Sequence, residues 1–384
     1  MFPDSSIASK FSLSETKARY IITFGLGSCF LDMLKQSAHA ADNFVLLFDE
    51  SLNGELQKKQ LDMHVRFWSD GVVSSRYFGS SFMGHATAED LESQIMKQLE
   101  VLELKKVLQL SMDGQNVNHK LHNLIDNQMK NDHGCSLLNV GSCGLHTVHN
   151  AFKAGHAASG WDLDKWMSSM HWLFHDSPAR REDLLKYTGA EYFPAHFCGH
   201  RWLENMPVAE RALELWPNIK EFIHAVKGGK VPYPKNRSFK TLQECAEDPL
   251  FEAKVHAFIS VARVVTPFLR KFQSDAPLLP YLCSDLQSMI KRLLARFITP
   301  DTLDGLGTMA KLASLNLTDK SFLLSLNKVD VGYMARTVIK KQLADKKASA
   351  LQVLTFKTQA RDFMQAVVQK LLTRALSGMS LVGT

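Results

Sequence analysis

Strand-like patterning in this 384-residue chain stops near residue 150, and that asymmetry limits the folds open to it. Asn43–Asp49 (Asn-Phe-Val-Leu-Leu-Phe-Asp) is a short continuous apolar run. Such a run marks a strand buried on both faces. Residues 60–68 and 72–78 alternate with period two, and Asp70-Gly71 between them is hairpin-turn chemistry. Thr87 opens an amphipathic helix over 87–102, with Asp90 at its third position and Leu91, Ile95, Leu99 and Leu102 as its stripe. Lys106–Leu110 and Leu137–Cys143 read as two further strands on either side of a helix over 116–130. The order β-β-β-α-β-α-β predicts an α/β core, a mixed sheet with helices packed on it.

Beyond that core the patterning is helical. Trp161–Phe174, Pro178–Tyr187, Val208–Gly228, Asp248–Phe272, Leu279–Phe297, Lys328–Lys347 and Leu351–Arg374 all carry apolar residues at helical spacing, and Gly228–Arg237 reads as a loop. A further helix is expected over 12–37, with Gly25 and Gly27 weakening its middle. The expected organisation is an N-terminal helical segment (1–38), a mixed-sheet core (39–150) and a large all-helical insertion and C-terminal region (151–384).

Hydrophobic residues make up 45% and charged residues 22%, which excludes a disordered or collagen-like chain. No apolar run approaches the ~18–20 residues of a membrane helix, so no membrane partner is expected. Met1-Phe2-Pro3-Asp4 lacks the basic flank and apolar run of a secretory signal. The six scattered cysteines (Cys29, Cys135, Cys143, Cys198, Cys245, Cys283) suit reduced thiols. An intracellular location, nuclear or cytoplasmic, is therefore expected. The net charge of +6 hides a division: residues 254–384 hold 19 Lys and Arg against 8 Asp, net +11, and residues 1–253 are at −5. The last glutamate is Glu252. A basic C-terminal third allows contact with DNA through residues 254–384, or simply a solvated helical surface.

Two carboxylates attract attention because of where they fall. Asp49 closes the first expected strand and Asp113 follows the fourth. If those strands are parallel neighbours, both acids meet at the edge of the sheet where ligand sites gather. Mg²⁺ takes one or two carboxylates at such sites, and two ions together cleave phosphodiesters, normally with three acids holding them. Ordinary turn chemistry explains each acid equally well on pattern alone.

The motifs around these acids resemble the hAT superfamily of DDE transposases, which have a ribonuclease H-like fold. Phe48-Asp49-Glu50-Ser51 resembles the first catalytic block, and Met112-Asp113-Gly114-Gln115-Asn116 the second, more loosely. Cys143-Gly144-Leu145-His146 is similar to the Cys-x-x-His motif and Arg201-Trp202 to the Arg-Trp pair, both of which handle DNA in that family. Phe48–Asn53, His175–Asp183 and Pro207–Leu213 resemble a group of transposon-derived animal proteins. The resemblance implies a vestigial catalytic and metal-binding pair, Asp49 and Asp113, and nucleic-acid contacts at Cys143, His146, Arg201 and Trp202. The family's third acid is a glutamate in a C-terminal block; here no glutamate follows Glu252 and no such block is present. The amino-terminal zinc finger of the family has no counterpart either. A positioned catalytic group is worth orders of magnitude in rate. The expectation is therefore a domesticated or decaying relative, inactive in transposition, with one weak Mg²⁺ site and residual binding of nucleic acid or protein. An active metal-dependent transposase or nuclease using Asp49 and Asp113, and a pure protein-interaction module, are the alternatives.

Cys143, His146, His149, Cys198 and His200 have zinc-compatible chemistry without a Cys-x₂-Cys pair, so zinc is not expected. Arg180 and Arg181 suit intrahelical ion pairs better than phosphate contacts. Trp161, Trp166, Trp172, Trp202 and Trp216 at helical spacing suit a core better than base stacking.

Overall fold

The computed structural model describes residues 5–113, 116–138, 144–199, 202–274 and 276–379. The chain forms two compact units that divide at Cys143/Gly144.

The first unit opens with three helical pieces, α1 (Ser6–Lys10), α2 (Glu15–Tyr20) and α3 (Gly27–Ala40), the last two joined by a π-helical turn over Ile21–Leu26. The helix expected over 12–37 is therefore broken into three conformations. Gly27 is where the chain needs no side chain: a Cβ there would stand 2.7 Å from the Ile22 carbonyl oxygen. Only the end of α3 docks on the core, through Leu34 and Ala38.

A mixed four-stranded sheet follows: β1 (Phe44–Asn53), β2 (Lys58–Ser69), β3 (Val72–Met83) and β4 (Val107–Ser111), in spatial order β3-β2-β1-β4. β1–β2 and β2–β3 are antiparallel, and β1–β4 is parallel. The β2–β3 turn uses Asp70 at φ 52° and Gly71 at φ 78°. Positive φ at both central residues matches the right-handed twist of the flanking strands. Helices α4 (Ala88–Leu99) and α5 (Asn116–His133) complete the unit. Thr87 and Asp90 form the reciprocal capping box at the start of α4. Phe44, Leu46 and Phe48 of β1, Leu61, Met63 and Val65 of β2, and Val107 and Leu110 of β4 pack with Leu91, Ile95, Leu121 and Ile125 of the helices. Burial of that apolar face at ~25 cal/mol per Å² is what holds the sheet register.

The strands run further than their apolar patterns. β1 continues to Asn53 because β2 keeps pairing with it, up to Asn53↔Lys58. Asp49 therefore lies within β1 instead of closing it. The strand expected over 137–143 lies mostly outside the described residues. Of its start, Leu137 is buried and the Leu138 amide donates to the Leu108 carbonyl at 2.8 Å, so the chain there runs beside β4.

The second unit is helical. Its long members are α6 (Gly144–Ser159), α7 (Leu163–Phe174), α8 (Pro178–Thr188), α9 (Met206–Lys227), α10 (Arg237–Glu247), α11 (Phe251–Phe272) and α12 (Leu282–Leu294). The short α13 (Pro300–Gly305) and α14 (Met309–Ala313) lead to α15 (Tyr333–Ala344) and α16 (Ala350–Met379). Its core is aromatic: Trp166 meets Trp216 and Phe251 edge-on, and Phe152 does the same to Phe258 and Phe363. Such pairs add about 0.5–1.5 kcal/mol each beyond buried area. Gly155 lets α6 and α16 touch, since a Cβ there would lie 2.7 Å from the Phe363 carbonyl oxygen and 2.4 Å from Val367 Cγ2.

Candidate functional site

Parallel pairing of β1 with β4 reaches Leu47↔Ser111. Asp49 lies two residues beyond Leu47 within β1, and Asp113 two residues beyond Ser111, past the end of β4. Adjacent strands run about 4.8 Å apart. Asp49 points to the face of β1 opposite the buried Phe48, and Met112, which precedes Asp113, is buried as well. Asp49 is exposed, and its Oδ1 accepts the Glu50 amide at 3.0 Å. Asp113 is half-buried, and its Oδ1 accepts from Asn118 Nδ2 at 2.5 Å, which ties it to the first turn of α5. Gly114 and Gln115 of the second aspartate motif lie outside the described residues.

A further acid stands beside Asp49. Asp62 of β2 is the direct partner of Asp49 (Asp49↔Asp62), and directly opposed residues of an antiparallel pair point to one face. Its polar position in an alternating run was the sequence signal; the cross-strand register was not available there. Asp62 is already occupied, however. Gln60 Nε2 donates to its Oδ1 at 2.8 Å, and Ser80 of β3 donates to the same oxygen. These hydrogen bonds, Gln60 first and then Ser80, hold its carboxyl below the usual aspartate range. Glu50 is paired with Lys59. Around Asp62 the open face is polar: Asn53 donates to Gln60 at 2.9 Å, and His64 meets Tyr77 edge-on.

Among the described residues no group of three or more His, Cys, Asp or Glu side chains could hold a metal ion.

The remaining expected contacts fall in the helical unit or outside the described residues. Cys143 and Arg201 lie outside them, as does His200. His146 is exposed on the first turn of α6. His149 is buried and its Nδ1 accepts the Leu203 amide at 3.3 Å. Cys198 is tied by its backbone to Asn205, whose side chain accepts from the Cys198 amide at 2.8 Å and donates to its carbonyl at 2.7 Å.

Trp202 lies in the core of the helical unit. It is 4% exposed, lies over His156 with ring centres 4.3 Å apart, and meets Phe197 and Phe258 edge-on. A stacking platform needs an open face; as folded, Trp202 is a core residue. Trp161, Trp166 and Trp216 are buried with it, and Trp172 is the exposed one. Among the described residues Arg180 and Arg181 form no intrahelical ion pair. Arg180 donates to the Leu173 carbonyl at the end of α7, and Arg181 lies over the Phe193 ring at 4.4 Å.

The basic C-terminal third spends part of its charge internally. Lys254 pairs with Asp248, Arg263 with Glu210, Lys271 with Asp285 and the buried Arg296 with Asp330. Among the described residues no helix is long and apolar enough to cross a membrane.

No family model and no curated protein matches this chain. Among solved structures it is similar to a chain of the Drosophila P element transposase strand transfer complex. The two are 14% identical with a TM-score of 0.28, over 89% of this chain and 81% of that one.

Proposed function

We propose that this chain is a transposon-derived, hAT-like protein with a ribonuclease H-like core that binds nucleic acid and does not cut it. The observation supporting this reading is the parallel pairing of β1 with β4, which runs to Leu47↔Ser111, two residues short of Asp49 and of Asp113. The motif resemblance at Phe48–Asn53 and Cys143–His146 agrees with it. Asp49 and Asp113 would hold a single Mg²⁺. When bound, such an ion polarises a phosphate oxygen. The absence of cleavage in this reading is supported by Asp62, the acid across from Asp49, which is committed to Gln60 and Ser80. With two carboxylates, ion affinity and the positioning of an attacking water both fall.

One competing reading has a specific observation behind it. Asp62 lies directly across from Asp49, so a metal-dependent nuclease could recruit it on release from Ser80. A nicking assay on supercoiled plasmid with Mg²⁺ or Mn²⁺ decides. The expected result is no cleavage above that of the Asp113→Ala variant, with DNA binding that weakens steeply as salt rises. Metal-dependent nicking abolished by Asp113→Ala would overturn the inactive reading, and its further loss in Asp62→Asn would establish the competitor. Absent or salt-insensitive DNA binding would leave a protein-interaction module.

A further inference from the structure

The helical unit contains a cavity of about 700 Å³ at the start of α10. It is walled by the loop before that helix and by the first residues of α7 and α11. Five cations line it: Lys165, Lys235, Arg237, Lys240 and Lys254. Three acids do too, and they are unevenly shared. Asp162 pairs with Lys165 at 2.6 Å, and Asp248 with Lys254 at 2.6 Å. Glu244 stands 3.9 Å from Lys240 with both side chains mostly exposed, a contact of little strength. Lys235 and Arg237 are exposed and make no ion pair among the described residues. Arg237 is also close enough to Lys165 to work against its proton, though the Asp162 hydrogen bond outweighs that. The cavity therefore holds two cations that no ion pair answers among the described residues. Cys245 in its wall adds no negative charge, because burial first, and then the neighbouring acids, push its thiol up to about 12.

An aromatic plate stands beside these cations. Tyr233 is 59% exposed, yet its ring is fixed. It meets the fully buried Phe239 edge-on, with centres 5.2 Å apart and planes at 82°, and its hydroxyl donates to Gln243 at 3.4 Å. Unanswered cations next to a fixed, open aromatic ring match an anionic backbone bearing planar bases.

We propose that this cavity binds single-stranded nucleic acid, with phosphates on Lys235, Arg237 and Lys240 and a base stacked on Tyr233. A single strand fits because stacking on a side chain needs a base face that a duplex keeps covered. The proposal deepens the nucleic-acid part of the reading above and is independent of the carboxylate pair.

Fluorescence anisotropy of fluorescein-labelled (dT)₁₀ with the full chain tests it. Lys235→Ala/Arg237→Ala should weaken binding about tenfold or more, and lower the slope of log affinity against log salt by about 1.4, from ~0.7 per cation on a single strand. Tyr233→Leu should weaken binding roughly tenfold with the slope unchanged, as loss of one stacked base does. Arg237→Lys keeps the charge and should retain most of the affinity, which separates contact from misfolding. Lys340→Ala/Lys341→Ala, distant in sequence and equal in charge removed, should stay within about twofold of wild type. Plasmid nicking is scored separately from (dT)₁₀ binding, so failure of the carboxylate reading and failure of this one are distinguishable. The proposal is overturned if wild type does not bind (dT)₁₀ or if Lys235→Ala/Arg237→Ala is silent. Equal loss in the Lys340/Lys341 variant, or a silent Tyr233→Leu, overturns it as well.

Discussion

Trp202 separates a family expectation from the folded geometry, and replacing it measures which governs. A DNA-contacting tryptophan can be truncated with little loss of stability, whereas a core tryptophan cannot. Its indole is 4% exposed and lies against His156, Phe197 and Phe258. A buried aromatic removes about 150–250 Å² from water. At ~25 cal/mol per Å² this amounts to about 4–6 kcal/mol, an upper bound because unfolded chains are partly collapsed. Trp202→Ala should therefore cost about 3–5 kcal/mol, in the range of aromatic truncations in cores. Trp202→Phe should cost under about 1.5 kcal/mol. It keeps an aromatic ring and removes an indole N–H that is buried without an acceptor among the described residues. Urea unfolding followed by far-UV circular dichroism reads both, with the slope checked for constancy so that the midpoint shift reports stability. A Trp202→Ala variant within about 0.5 kcal/mol of wild type, as exposed substitutions are, would refute the burial argument.

Two further outcomes follow from packing and titration. Gly155→Ala should destabilise the helical unit by about 1–3 kcal/mol in the same assay, because its methyl meets the Phe363 carbonyl and Val367; an unchanged midpoint would mean that α6 and α16 do not pack this closely. Burial holds His122, His156 and His256 below the usual imidazole range. The folded chain therefore binds fewer protons than the unfolded one, so this stability is present above ~6.5 and is lost as pH falls below it. The urea midpoint should drop between pH 7 and pH 5, before the carboxylates titrate, and a flat profile over that window would contradict the burial of these imidazoles.

Much of the fold was legible because its signals are local. Asp70-Gly71 specifies its own turn, Thr87 and Asp90 cap their own helix, and the apolar run after Asn43 makes a strand wherever it is buried. The α10 helix carries an equally local signal that the loop-like Gly228–Arg237 stretch obscured. Asn236 caps it by accepting the Phe239 amide, and Phe239, Leu242 and Cys245 form its buried side. What could not be read were quantities that depend on a partner far along the chain. The extension of β1 past Asp49 is imposed by β2, the tethering of Asp62 by Ser80 of β3, and the burial of Trp202 by Phe258.

The sequence alone determined which segments become strands and helices and which residues have metal, phosphate or base chemistry available, since those follow from side-chain type and spacing. Tertiary structure alone decided which chemistry is presented. It set Asp62 across from Asp49, drew Asp62 to its neighbours, buried Trp202, and left Lys235, Arg237 and Tyr233 open around one cavity. The physical reason is that a carboxylate, a cation or an aromatic ring acts only through what its surroundings leave unpaired and uncovered, and the surroundings come from residues distant in sequence.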